Sequence, residues 1–277
     1  MTDGTAPTFA LNHMAAPRLG LGAFFELAGA LGISRIEIRN DLEGHSIPDG
    51  TPAARVRALA EAAGLTILSI NALQRFNEWT PDRAAEAEAL ADYAAGCGAE
   101  ALVLVPVNDG TGRANGERQA NLRVALKALE PILAERSLIG LVEPLGFESC
   151  SLRLKLEAVA TIDSIGAGET FRLVHDTFHH HLAGAAEIFP RRTGLVHISG
   201  VTASVGMAGL RDSHRALVDG ADRIGNLAQI RALIDGGYRG AFSFEPFAEA
   251  VHALADPAAA IRASMDFIRA QILRHAA

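Results

Sequence analysis

The 277-residue sequence predicts a single (β/α)8 TIM barrel of the α/β class. Apolar, strand-like runs alternate with helix-like stretches eight times along the chain, which favours a parallel sheet covered by helices. No glycine-rich phosphate-binding motif follows the first strand, and this disfavours a doubly wound sheet. Residues 1–277 are therefore expected to form one barrel domain, and an open sheet of fewer strands is the alternative.

Four strand–helix units make up the first half of the chain. Their strands are predicted over Phe9–Met14, Arg35–Arg39, Thr66–Asn71 and Ala101–Pro106, and their helices over Phe24–Leu31, Pro52–Ala63, Pro81–Cys97 and Glu117–Glu135. Glycine follows each of the first three helices, as is common at helix C-termini. Thr51 is the expected N-cap of the second helix, because Pro52 suits its first turn.

The second half continues the same alternation. Its strands are predicted over Ile139–Glu143, Phe171–Asp176, Gly194–Ile198 and Ala241–Glu245, and its helices over Leu154–Ile165, Ala183–Phe189, Arg223–Asp235 and Ala258–His275. The long irregular segment Ser199–Asp222 separates the seventh strand from its helix. Long loops after barrel strands usually carry function, so this segment is expected on the active-site face.

The composition argues against two classes of partner. The net charge is −7 and no basic stripe with interleaved aromatic residues is present, so nucleic acid is not an expected partner. No apolar stretch approaches the ~18 residues of a membrane span, and the N-terminus lacks a signal-peptide pattern. A soluble, cytoplasmic protein is expected. Cys97 and Cys150 lack metal-binding spacing and are expected to be free thiols, and nothing in the sequence fixes an oligomeric state.

Four of the predicted strands end in an acidic residue or a histidine. These strand-end residues are Glu143, Asp176, His197 and Glu245. The C-terminal ends of barrel strands converge on one mouth, where three carboxylates without a cation would repel one another. Three oxygen ligands and one imidazole suit a single divalent metal ion, either Mn²⁺, Co²⁺, Zn²⁺ or Mg²⁺. The alternative is a set of separately solvated acids.

Several segments spread over most of the chain resemble one known superfamily. These segments are Ile36–Arg39, Ile70–Leu73, Phe76–Asn77, Val142–Gly146, Asp176–His179, Val196–Ile198 and Phe244–Phe247. They are similar to the xylose isomerase-like barrels, which include sugar isomerases, epimerases and apurinic-site endonucleases, and within these to the inosose isomerases. The chain lacks the further histidines and the basic surface of the endonuclease branch, which we therefore set aside.

This resemblance implies a site and a reaction. The four strand-end residues would be the metal ligands, and His179 and Arg215 would contact oxygens of a small polyol or ketose substrate. The implied reaction moves the ketone of an inosose, as from 2-keto-myo-inositol to 1-keto-D-chiro-inositol, through a cis-enediolate. Glu143 and Glu245 would transfer the proton. The alternatives are a ketohexose 3-epimerase, an inosose dehydratase and a non-catalytic sugar-binding barrel.

Other residues receive secondary assignments. His180 and His181 are assigned to the loop after the sixth strand. Glu37 and Arg39 end the second strand, where they could pair with each other or face the substrate. The aromatic residues that could form an apolar wall beside the sugar ring are Phe76, Trp79 and Phe147. The strand-end residues that could add polar contacts are His13 and Asn71.

Overall fold

The structure, a computed structural model, describes residues 6–42, 47 and 50–274. Eight parallel strands pair in chain order and close into a barrel. The strands are β1 Phe9–Asn12, β2 Arg35–Arg39, β3 Thr66–Gln74, β4 Ala101–Val105, β5 Ile139–Val142, β6 Phe171–Asp176, β7 Thr193–Ile198 and β8 Phe242–Phe244. Parallel pairing of β8 with β1, which places Leu11 opposite Phe244, closes the sheet. The predicted (β/α)8 barrel is confirmed.

Helices connect the strands around the outside of the barrel. In the described residues they are α1 Leu21–Ala30, α2 Ala53–Ala62, α3 Pro81–Cys97, α4 Glu117–Ala134, α5 Lys155–Ser164, α6 Thr177–Ala183, α7 Asn226–Asp235, α8 Glu249–His252 and α9 Pro257–Leu273. The irregular segment after β7 contains two short 3-10 helices, Met207–Gly209 and Asp212–His214. None of the helices in the described part of the chain is long and apolar enough to cross a membrane.

The predicted short helix over Ala183–Phe189 is wrong. The helix after the sixth strand is α6, which starts directly at Thr177. Asp176 is its N-cap, and the Asp176 carboxylate accepts a hydrogen bond of 2.8 Å from the backbone N–H of His179. Gly184 adopts the left-handed conformation that ends the helix, with φ of 63°. The histidine run therefore lies on a helix rather than in a loop.

Two predicted helix ends also need correction. The N-cap of α2 is Pro52 rather than Thr51, and no side chain caps this helix. Helix α7 begins at Asn226, three residues later than predicted, because the Asp222 carboxylate accepts a hydrogen bond from the Asn226 N–H. The predicted end of the last helix, His275, lies outside the described residues. Cys97 and Cys150 are buried and free, as predicted.

The strands present apolar side chains on both faces near their N-terminal ends. Leu141, Val174 and Leu195 pack together inside the barrel, whereas Ile36 and Phe242 pack outward among the helices. Strand side chains alternate between the two faces of the sheet. The residue two places after each of these inward apolar residues therefore also points into the barrel, closer to the C-terminal end of its strand. In this chain those later positions are polar, and they meet at one mouth of the barrel.

Candidate metal centre

The four predicted metal ligands lie together at the mouth of the barrel. Glu143 and Glu245 directly follow β5 and β8, Asp176 ends β6, and His197 lies in β7. One ligand atom from each of the four lies within 4.8 Å of the others. Each residue is at most 4% exposed. The structure thus brings together the complete set that the strand ends predicted.

The distances within this cluster fit one divalent cation. His197 Nδ1 lies 3.0 Å from Glu143 Oε1, 3.2 Å from Glu245 Oε2 and 4.0 Å from Asp176 Oδ2. Donors bound at about 2.1 Å on adjacent octahedral positions of one ion are about 3.0 Å apart. Three carboxylates that face one imidazole nitrogen form a donor set suited to a divalent metal.

Glu37 orients the imidazole from the other side. His197 Nε2 lies 3.2 Å from Glu37 Oε2, and both side chains are fully buried. Ser69 Oγ donates to Glu37 Oε2 at 2.7 Å, and Ser243 Oγ donates to Glu37 Oε1. A carboxylate behind a histidine ligand fixes its tautomer and leaves the opposite nitrogen for the metal. Glu37 therefore turns His197 Nδ1 toward the three carboxylates.

Arg215 contacts two of the four predicted ligands. Its Nη2 donates to Asp176 Oδ2 at 2.6 Å and to Glu245 Oε2 at 2.7 Å. The guanidinium packs against the rings of Phe178 and Phe247, with distances of 5.3 and 4.5 Å to the ring centroids. Arg215, which the resemblance assigned to substrate binding, is thus buried within the site.

Glu245 also receives three donors on its other oxygen. Arg39 Nη1 lies 2.8 Å from Glu245 Oε1, and the amides of Asn12 and Asn71 lie 3.3 and 3.2 Å from it. The expected alternatives for Arg39 were pairing with Glu37 or facing the substrate. The structure shows Arg39 paired with Glu245 and Asp41 instead.

Burial and charge shift the pKa values of the cluster in different directions. Burial favours neutral His197, but the nearby carboxylates of Glu245, Glu37 and Glu143 outweigh it and hold its pKa well above the ordinary value. Burial raises the pKa of Glu143, against the opposing effect of His197. Burial acts in the same direction on Glu245, but His197 and Arg215 hold its pKa well below the ordinary value. The two glutamates are therefore electrostatically distinct.

A cleft lies next to residues that contact this site, although none of the four predicted ligands lines it. Its volume is about 720 Å³, and the segments after β5 and β7 line much of it. Two lining residues touch the site, because the Phe147 ring packs 5.2 Å from the His179 ring and Asp212 Oδ1 lies 3.2 Å from Arg215 Nη1. The long irregular segment after β7 thus lies on the face where the sequence placed it.

Comparison with known proteins identifies the family. A sequence model of the xylose isomerase-like TIM barrel matches residues 25–271. The crystal structure of a xylose isomerase domain-containing protein from Salmonella typhimurium LT2 is 36% identical, with a TM-score of 0.88, and the match covers 96% of this chain and 97% of that one. The chain belongs to the xylose isomerase-like TIM barrel family.

More distant solved structures of this barrel share its fold. The IolI protein with a bound zinc atom is 19% identical, with a TM-score of 0.84 and coverage of 97% of this chain and 98% of that one. D-allulose 3-epimerase from Methylomonas sp., in complex with D-allulose, is 18% identical, with a TM-score of 0.69 and coverage of 98% and 96%. No curated protein sequence matches the chain.

In this xylose isomerase-like barrel, His179 lies on the first turn of α6, and its backbone N–H bonds the predicted ligand Asp176. It is 4% exposed, and its ring packs edge-on against the rings of Phe147 and Phe178. Within the described residues, His179 Nδ1 has no hydrogen-bond partner. A buried polar atom without a partner costs about 1–3 kcal/mol, which is a reason to expect a ligand there.

The assignment of His180 and His181 to a loop is wrong. Both lie on α6, and His180 is buried with Nδ1 2.9 Å from Lys155 Nζ. Burial, together with the charge of Lys155, lowers the pKa of His180 to about 4. Burial lowers the pKa of Lys155 to about 8, with Asp176 acting in the opposite direction. Lys155 and His180 thus contact each other, and neither belongs to the cluster of four predicted ligands.

The other secondary assignments divide between the core and the site. Phe76 is fully buried in the core between sheet and helices and does not form the expected wall, and Trp79 is partly buried and packs against that core. Phe147 lines the cleft. His13 Nε2 bonds the Leu19 carbonyl, and the His13 ring stacks on a core phenylalanine. Sequence reasoning missed the contacts of Asn12 with Glu245, for which the only signal was its position at the end of β1.

Proposed function

We propose that this chain is a divalent-metal-dependent isomerase that moves the ketone of an inosose to the neighbouring ring carbon. The proposed metal ligands are Glu143, Asp176, His197 and Glu245. The observation that carries the proposal is the meeting of these four buried donors, from four consecutive strands, within 4.8 Å. The zinc atom bound by the similar IolI protein supports a divalent metal in this chain. The sequence resemblance to inosose isomerases supports the substrate.

The reaction needs a base, an acid and stabilisation of a developing oxyanion. A proton leaves the carbon next to the ketone, an enediolate forms, and a proton returns to the former carbonyl carbon. A bound divalent cation supplies the Lewis acidity that stabilises the negative charge on oxygen. The remaining tasks fall to side chains around the cluster.

Glu143 is the proposed base that removes the substrate proton. Its Oε1 faces His197, and in the described part of the chain no side chain donates a hydrogen bond to its Oε2. In the site without a cation, burial raises the pKa of Glu143, so it is the better proton acceptor of the two glutamates. Glu245 is surrounded by donors that keep it ionised, which suits a ligand and makes it the weaker base. The proton returns to the substrate from Glu143 or through Glu245.

His179 and Arg215 are the proposed substrate contacts. The unpartnered Nδ1 of His179 can exchange a hydrogen bond with a substrate hydroxyl beside the ligands. The Arg215 guanidinium already lies against two of the ligands, where its positive charge favours an oxyanion. Phe147 lies between the cleft and His179, where its ring can cover the C–H face of a sugar ring.

Solvent deuterium exchange tests this proposal. Metal-loaded protein is incubated in D2O with 2-keto-myo-inositol and a panel of inososes and ketohexoses, and the products are identified by NMR. We expect deuterium incorporation and formation of the neighbouring inosose, loss of both with a chelator, and recovery with Mn²⁺ or Co²⁺. Glu143→Gln should weaken metal binding, because it neutralises a proposed ligand, and should abolish exchange even at an Mn²⁺ concentration that saturates the variant.

The other functions give different products in the same experiment. A ketohexose 3-epimerase, which the similarity in fold to D-allulose 3-epimerase makes the second candidate, would invert one carbon of a ketohexose. A dehydratase would release water from the inosose. A sugar-binding barrel would incorporate no deuterium at any metal concentration. Any of these three results, or exchange that survives metal removal, contradicts the proposed isomerase.

A further inference from the structure

Strand β2 contributes none of the four proposed ligands, yet two of its side chains hold ligands from other strands. Ile36 and Ile38 pack outward in the core, so Glu37 and Arg39 both point to the inside of the barrel. Glu37 contacts His197, and Arg39 contacts Glu245. The inward face of β2 is therefore a support for ligands carried by β7 and by the segment after β8.

We propose that Arg39, anchored by Asp41, is a positioning residue that holds Glu245 in the orientation required by the metal centre and by proton transfer. The inference rests on the proposed function, because it concerns the same site. It goes beyond that function by assigning roles to Arg39 and to the partly exposed Asp41. Neither residue is one of the proposed metal ligands.

The guanidinium of Arg39 joins two carboxylates rigidly. Its Nε and Nη2 each lie 2.7 Å from one oxygen of Asp41, while Nη1 lies 2.8 Å from Glu245 Oε1. The two bonds to Asp41 are the bidentate geometry that best matches a planar guanidinium to a carboxylate. Because all five N–H groups lie in one plane, fixing two of them on Asp41 also fixes the direction of Nη1.

Arg39 holds the oxygen of Glu245 that does not face the other ligands. Glu245 Oε2 is the atom that lies 3.2 Å from His197 Nδ1, and Oε1 is the atom bonded to Arg39. Asn12 and Asn71 also contact Oε1, but at 3.3 and 3.2 Å and without charge. Arg39 is therefore the strongest restraint on Oε1, and it keeps Oε2 directed into the cluster.

Burial distinguishes this pair from an ordinary surface ion pair. The Arg39 side chain is 5% exposed and that of Glu245 is 4% exposed, whereas that of Asp41 is 38% exposed. Loss of Asp41 would leave the positive charge of Arg39 less compensated beside the site and its orientation less restrained. Both effects weaken the binding of a cation, so the expected change has one direction.

Two substitutions test the proposal in the full-length protein. Asp41→Asn keeps the shape at a partly exposed position and removes the charge, and Arg39→Lys keeps the charge but removes the planar fork. We expect each to weaken Mn²⁺ binding in calorimetry, and to lower kcat at saturating Mn²⁺ with little change in KM, by about 10-fold to 100-fold. The double variant should resemble Arg39→Lys alone, because Asp41 acts through Arg39.

Asp163→Asn is the matched control. Asp163 also pairs with an arginine, through one contact of 2.6 Å to Arg192 and with a half-exposed carboxylate, but at the far end of α5 from the barrel mouth. Its Mn²⁺ affinity and kcat should stay within about two-fold of wild type, as expected for a surface pair away from the site. If Asp41→Asn behaves like this control, or if its effect adds fully to that of Arg39→Lys, the positioning role is overturned.

The same measurements separate this inference from the proposed function. If wild-type protein binds Mn²⁺ but catalyses no exchange on the sugar panel, the proposed isomerase fails and the Mn²⁺ titrations still decide the role of Arg39. If wild-type protein is active and the variants bind and react normally, only the positioning role fails. If wild-type protein binds no Mn²⁺, both are refuted.

Discussion

The contact between Gly146 and α6 gives a sharp prediction about the support of the site. Gly146 lies in the segment after β5, and a Cβ placed there would lie 2.3 Å from the His179 carbonyl oxygen, 2.5 Å from Leu182 Cβ and 2.8 Å from the Ala183 nitrogen. Ordinary contacts begin at 3.4 Å. Because two of the three atoms belong to the backbone of α6, the helix itself must move to admit a methyl group.

Gly146→Ala should therefore affect both stability and activity. Overpacking of this kind costs about 1–3 kcal/mol in the free energy of unfolding. A shift of about 1 Å in α6 would also displace His179 and the helix start at Asp176, and misplacement of that size can cost roughly 100-fold in rate. Urea unfolding and the deuterium-exchange rate are the two measurements.

Gly29→Ala is the control, because it makes the same substitution but is expected to raise the free energy of unfolding instead of lowering it. Gly29 lies in α1, and a Cβ there meets nothing within 4 Å. Alanine in a helix is more stable than glycine by roughly 0.5–1 kcal/mol, so this variant should be more stable than wild type and equally active. The packing argument is refuted if Gly146→Ala is as stable as wild type, or if both variants lose activity alike.

Three further predictions concern charge. Burial lowers the pKa of His197, but the surrounding carboxylates outweigh it and hold this pKa well above the ordinary value, so Mn²⁺ binding near pH 7 should release about one proton. Calorimetry in buffers of different ionisation enthalpy measures this proton release. A binding enthalpy that is the same in all buffers contradicts the prediction. Glu37→Gln should weaken Mn²⁺ binding by about 10-fold to 100-fold, because it removes the carboxylate behind His197, and unchanged affinity counts against that role. Burial lowers the pKa of Lys155 from 10.5 to about 8. Between these pH values the unfolded chain binds more protons at Lys155 than the folded chain does. The contribution of Lys155 to the free energy of unfolding should therefore rise with pH across that range. Urea unfolding should show this rise in wild type and its loss in Lys155→Met, and identical pH profiles would refute it.

The sequence predicted that four side chains would meet at the barrel mouth, because each of them lies at the end of an apolar strand run. Glu143, Asp176 and Glu245 each end or follow an apolar run, and barrel topology brings such positions to one mouth without any need to know the loops. His197 was found in the same way. The alternation of side chains along each strand therefore predicted which residues point to the barrel mouth.

The supporting contacts could not be predicted, because they join residues that are distant in the sequence. Arg39 and Glu245 are 206 residues apart, and nothing local to Arg39 shows that it lies across the barrel mouth from the eighth strand. The start of α6 was missed for another reason. Asp176 is both the last residue of β6 and the N-cap of α6. Because the sequence pattern assigned Asp176 to the strand only, the helix was not expected to begin at the next residue.

The charges of the buried groups show why this acidic cluster suits a divalent cation. Four carboxylates, from Glu37 and the three acidic ligands, contact one another through His197, Arg39 and Arg215. Among the fully buried groups, the two arginines balance two of the four negative charges; the other carboxylates that contact these arginines, Asp41 and Asp212, are partly exposed and screened by solvent. A divalent cation with a neutral His197 would balance the other two, whereas a protonated His197 without the cation leaves one negative charge uncompensated. Uncompensated buried charge is costly, so the arrangement favours a doubly charged ion over a proton as the partner of these carboxylates. This balance also explains why Arg39 and Arg215 can remain in place beside a cation, and why removal of Asp41, which anchors Arg39, should weaken the binding of that cation.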